Sequence, residues 1–181
     1  MMPVFISVLI IAAGLAFAAF LFSTVRGASD AKGSLDEVAT ITRPVDLLAF
    51  QNLTDPAEEE FLRARLSRDA FRRVQKERLR AALEYVERAA WNAAVLLRVG
   101  EALRKEEPAV AAVGQEIVNA ALRLRLYALL VMALLHVRIW FPGIETSVQQ
   151  VPARYEELRN QFARVARMRR PAQAGHLLSA L

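Results

Sequence analysis

The side chains of this sequence that could do chemistry are arginines gathered at helical spacing and two isolated histidines. Residues 63–80 hold Arg63, Arg65, Arg68, Arg72, Arg73, Lys76, Arg78 and Arg80 against only Asp69 and Glu77. Read as one helix, Arg65, Arg68, Arg72, Arg73, Lys76 and Arg80 share one broad side, opposite an apolar stripe. A second group, Arg164, Arg167, Arg169 and Arg170, closes a later helical stretch, where cations complement the negative end of the helix dipole. Guanidinium groups grip phosphate and carboxylate through two parallel hydrogen bonds. These faces therefore fit anionic lipid headgroups or an acidic protein partner. Nucleic acid is the weakest option, because no DNA-binding motif accompanies them. A plainer reading stands beside these: arginine outnumbers lysine 21 to 3, as GC-rich bacterial coding would produce, and a basic helix face is ordinarily just solvated.

His136 and His176 are the only imidazoles. His136 lies in an apolar stretch and is a weak candidate to ligate a haem or chlorophyll; a hydrogen-bonded core or boundary histidine is the commoner case. No Glu-x-x-His pair supplies a di-iron ligand set. The absence of cysteine removes disulfides, thiolate metal sites and iron–sulfur clusters. All five aspartates lie at or before Asp69, no glycine-rich turn follows a strand, and no Ser–His–Asp set can be argued from spacing. No catalytic residue, metal site or cofactor is assigned, and an enzyme is not expected.

The elements that must position these residues begin with an apolar segment. Residues 1–25 carry no charged side chain, and Pro3 to Phe22 is almost wholly apolar. Twenty residues of helix span about 30 Å, the thickness of a bilayer core. Twelve of the twenty are Val, Ile, Leu or Phe, on the order of −4 to −7 kcal/mol for insertion. The run is too long for a signal-peptide core and has no basic residue before Arg26, so it reads as an uncleaved anchor. Arg26 and Lys32 follow it, which places the N-terminus outside and the remainder in the cytoplasm at an inner membrane.

Residues 26–53 read as a linker with a short helix or extended segment. Residues 54–171 read as a helical bundle. Asp55, Pro56 and Glu58 form a start signal, and apolar residues at helical spacing, with no proline, carry one long helix over about 56–104, with a bend at Ser67 or Gly100. Pro108 opens a second helix to about 141, and a third covers about 152–169. Residues 172–181 read as a flexible tail. Short connections make consecutive helices antiparallel neighbours. The fold class expected is all-α: one transmembrane helix, then an antiparallel three-helix bundle built on the long helix.

The run from Leu126 to Leu135 is unbroken in apolar or aromatic residues, but Arg125 and Arg138 bracket a window of only 12 residues, about 18 Å as helix and too short for a second span. It is apolar around most of its circumference, so neighbouring helices, a second protomer or another subunit must cover it. A buried Arg125 needs a partner, and Glu84 or Glu87 of the long helix are the nearest candidates. The function expected is that of a membrane-anchored adaptor or accessory subunit, docking another subunit or a second copy. The alternatives are a surface that binds anionic lipid and a sensory or cofactor-binding bundle.

Overall fold

The computed structural model describes residues 38, 40–140, 150–169, 174–179 and 181. The expected anchor over 1–25, residues 26–37, the 141–149 connection and Arg170 lie outside them. Among the described residues the chain is helical and has no strand: α1 Leu47–Leu53, α2 Pro56–Arg65, α3 Arg68–Leu103, α4 Pro108–Trp140, α5 Gln150–Arg169 and α6 Ala174–Ser179.

Local chemistry sets the boundaries. The Asp46 carboxylate accepts from the backbone N–H of Ala49 at 2.9 Å and opens α1. Asp55 does the same for Ala57 at 2.9 Å ahead of α2, with Pro56 at the first helical position where its missing N–H costs nothing. Pro152 sits in the first turn of α5 on the same terms.

The 56–104 helix expected from periodicity is two helices. Leu66 and Ser67 adopt extended backbone, and the Ser67 hydroxyl caps α3 by accepting from the Ala70 N–H at 3.4 Å. α2 folds back along α3 instead of extending it. Three polar contacts hold it there: Glu59 to Gln75 on α3, Glu59 to Arg138 on α4, and Glu58 to Arg78 on α3. No residue of α2 is buried, so this fold-back rests on charge and hydrogen bonding.

α3 and α4 form the main contact and run antiparallel, with Gly100 against Gly114 near the turn that joins them. α5 returns antiparallel to α4, tied by Arg164 to Glu116 and by Arg123 to Glu157 at 3.9 Å. One core cluster centres on Leu96, Val99, Ile117, Leu124, Tyr155, Leu158 and Phe162. A second joins Phe50 and Leu79 to Ala128, Val131, Leu135 and Val151. Each fully buried Leu, Ile or Phe contributes about 1.5–3 kcal/mol.

The C-terminal segment is also not the loose tail expected. Ala174, Leu177 and Leu181 are buried in the first cluster, because their apolar side chains close the end left open by α5 and the 38–45 segment. α4 has the length and mean hydropathy, 1.7, of a membrane span, with 56 % of that window buried inside the protein. Its buried residues pack on α3 and α5, as befits a core helix.

Candidate functional site

Four groups of residues are positioned in ways that bear on function. The first is the basic stretch. Arg68, Arg72, Arg73, Lys76 and Arg80 are all exposed on the first four turns of α3. Arg80 pairs with Glu77 at 2.7 Å. The break at Leu66–Ser67 separates Arg65 from this set. It belongs to α2, where its guanidinium lies over Phe61 at 5.1 Å. Arg78 faces inward: its Nη2 donates to the carbonyls of Asn52 at 3.0 Å and Leu53 at 3.3 Å and to Glu58, so it caps the end of α1. Beside it lies a shallow, open depression of about 440 Å³ lined by Leu53, Arg73, Val74, Glu77, Arg78 and Ala81. In the second basic group, Arg164 is engaged by Glu116 and Gln161, Arg167 is exposed, and the Arg169 side chain and Arg170 lie outside the described residues.

The second group is a buried polar staple at the middle of the protein. Asn92 is fully buried; its Oδ1 accepts from the Arg43 N–H at 2.8 Å, and its Nδ2 donates to the Arg43 carbonyl at 2.6 Å and to the Tyr155 hydroxyl at 2.7 Å. The Tyr155 hydroxyl donates to the Leu181 carbonyl, which also accepts from the Val45 N–H at 3.2 Å. Trp91 donates to the Ile41 carbonyl at 2.9 Å, and the Arg43 guanidinium stacks 4.7 Å from the Trp91 ring. Burial pushes the Tyr155 phenol up to about 12, against the smaller opposing effects of the Asn92 hydrogen bond and the Arg159 charge. This staple clamps the chain that arrives from residues 1–37 onto α3, α5 and the C-terminal residue.

The third group is the interior arginine. Arg125 is buried, as expected, but Glu84 and Glu87 are exposed, and Glu84 pairs with Arg88 on its own helix at 3.7 Å. On α3 these two glutamates fall on the solvent side, so neither is a buried polar residue. Burial lowers the Arg125 pKa, and the charge of Arg98 lowers it further. His136 is exposed, and its Nδ1 lies 2.8 Å from the Met132 carbonyl. That nitrogen is then the protonated one, and only Nε2 remains for a ligand. Among the described residues no group of three His, Cys, Asp or Glu side chains could hold a metal ion.

The fourth group is a face that sequence reasoning expected to need a cover but did not locate. α4 is the most apolar helix, yet Leu122, Leu126, Leu130, Val137 and Trp140 are 41 to 79 % exposed. With the exposed Ala133 they recur at steps of 4, 4, 3, 4 and 3 residues, one face of a helix about 27 Å long. The signal was present in the sequence as an all-round apolar helix. Which face the other helices would leave uncovered depends on tertiary packing. No protein-family model, no curated protein and no solved structure matches this chain.

Proposed function

We propose that this protein is a membrane-anchored helical adaptor. Residues 1–25 hold it in the bilayer, the antiparallel α3–α4–α5 bundle is its rigid body, and the exposed face of α4 docks another protein chain. The observation that carries this reading is the contiguous apolar face from Leu122 to Trp140 on a helix that is otherwise core. Scattered surface leucines need no explanation, but a rank of five large apolar side chains on one face marks an interaction site. The polar staple at Asn92 is consistent with the same reading, since it ties the segment that follows residues 1–37 to the bundle at Arg43. A photoreactive residue at position 130 in the full chain, irradiated in native membranes, tests it. A discrete protein adduct that a probe at exposed Arg72 does not give is the expected result. Adducts to lipid alone, or none, overturn it.

A second reading has its own observation. Arg68, Arg72, Arg73 and Lys76 project together from α3 with two nearby acids, Asp69 and Glu77, the second already taken by Arg80. Near an anionic leaflet each is worth about 1 kcal/mol. Retention on acidic vesicles that falls with salt supports it, and indifference to lipid charge removes it.

A further inference from the structure

We infer that the occupant of the α4 face is a second copy of this chain, packed antiparallel about a two-fold axis between Leu130 and Ala133. The inference rests on the docking reading above and adds the partner and its register. Lipid is a poor occupant. A helix that lies in the bilayer interface keeps free Lys or Arg beside its apolar face to meet headgroups. Here two of the three arginines of this stretch point elsewhere, Arg125 buried and Arg138 held by Glu59 of α2, and Arg123, exposed at one edge of the face, is engaged by the Asn119 carbonyl and Glu157 of α5. The face itself carries no charge from Leu122 to Trp140.

The order of side chains along the face then fits a copy of itself run in the opposite direction. Antiparallel pairing with residue numbers summing to about 263 sets Leu130 against Ala133, Leu126 against Val137 and Leu122 against Trp140. At the centre, large meets small on both sides of the axis, which lets the two helices approach closely. An isologous contact of this kind uses one patch twice. The five large side chains expose on the order of 500 Å² per copy, so pairing that covers all of it removes at most about 1,000 Å² in all, at the lower edge of specific interfaces. A parallel pair would instead stack Leu130 on Leu130 and Trp140 on Trp140, and would leave the Ala133 notches facing each other.

The chain has no cysteine, so introduced pairs can be read without background. Two differently tagged full-length chains, one Leu126→Cys and one Val137→Cys, are co-expressed and oxidised in native membranes. The expected result is a mixed 126–137 disulfide and little 126–126 product, because in the antiparallel register the two Leu126 positions lie 11 residues, about 16 Å, apart, beyond disulfide reach. A dominant 126–126 band overturns the register. A photo-adduct at position 130 to a different protein, with no 126–137 disulfide, overturns the second copy and leaves the docking reading standing. Leu126→Glu and Leu130→Glu, both at exposed sites, should convert a dimer in mild detergent to a folded monomer. A wild-type protein that is already monomeric there and forms no disulfide in membranes refutes the inference.

Discussion

Adding one methyl group at the crossing of α3 and α4 tests the packing most directly. A Cβ on Gly100 would stand 2.9 Å from the Gly114 carbonyl oxygen and 2.9 Å from Val118 Cγ2. A Cβ on Gly114 would meet the Gly100 carbonyl oxygen at 2.9 Å, Leu103 Cβ at 2.9 Å and the Arg104 nitrogen at 3.0 Å. Comfortable contact for carbon begins at about 3.5 Å, so the helices must separate by roughly half an ångström. Overpacking of this kind costs about 1–3 kcal/mol, while Gly→Ala inside a helix returns about 1 kcal/mol. The steric term should win at both sites. It should win by more at Gly114, where all three neighbours are backbone or Cβ atoms, for a net loss of about 1–2 kcal/mol. At about 2–4 °C per kcal/mol, the melting point of the full chain in mild detergent falls by roughly 2–8 °C, followed by helical circular dichroism. Gly175 is the internal control: its Cβ would meet nothing within 4 Å, so Gly175→Ala should stabilise by about 0.5–1 kcal/mol. The two crossing substitutions should also be less than additive, because the separation forced by one makes room for the other. If Gly100→Ala and Gly114→Ala raise the melting point as Gly175→Ala does, the close approach of these helices is wrong.

Two further predictions concern the polar groups. Tyr155 is held neutral by burial, at about 12 against 10.0 for a free phenol. The native state keeps this proton where the unfolded state has lost it, so stability is level below pH 10 and declines between pH 10 and pH 12, by roughly 3 kcal/mol at most. The difference in unfolding free energy between wild type and Tyr155→Phe isolates that decline; a difference that does not change over this interval would contradict the buried neutral phenol. Glu59 joins Arg63, Gln75 and Arg138 and anchors a helix with no buried residue. Glu59→Ala should therefore release α2 locally: hydrogen exchange over 56–65 should speed at least tenfold while the melting point moves by no more than about 4 °C, and unchanged exchange there would refute a charge-held fold-back.

What sequence reasoning captured, and what it missed, follows the range of the forces involved. The openings at Asp55–Pro56 and Pro108 are local, since each depends on a cap or a proline within a few residues, and both are where the helices begin. Arg125 was identifiable as a buried cation because its phase on α4 is set by its immediate neighbours. The interruption at Leu66–Ser67 was legible as a bend at Ser67 but not as a full break, because periodicity runs through it and no proline or glycine marks it. Glu59 meets Arg138, 79 residues later in sequence, and this contact helps hold α2 folded back there. Glu84 and Glu87 were misplaced for a related reason: the distance along two helices was right, but the solvent-facing phase of α3 depends on where α4 lies against it. Asn92 left a usable signal, a single amide within the run Ala89 to Leu97, where an unpartnered polar group would be costly. The segment 174–181 was read from length and position, when its alternation of small and apolar residues was the better guide to burial.

The proposed anchor and the proposed pairing constrain each other. The two-fold axis of an antiparallel α4 pair is perpendicular to both helices. Two copies whose N-terminal segments enter the same bilayer must be related by an axis along the membrane normal. Both conditions hold only if α4, and with it the antiparallel α3 and α5, lies parallel to the membrane plane. In that pose α3, 36 residues and about 54 Å long, also lies along the surface. The Asn92 staple fastens the incoming chain at Arg43 to the side of α3 and not to its end. Loosening the staple should therefore weaken pairing without touching the α4 face: Asn92→Ala leaves Leu126 and Val137 in place, yet it should lower the yield of the mixed 126–137 disulfide in membranes. An undiminished yield would mean that the pair forms without any help from a fixed orientation at the bilayer.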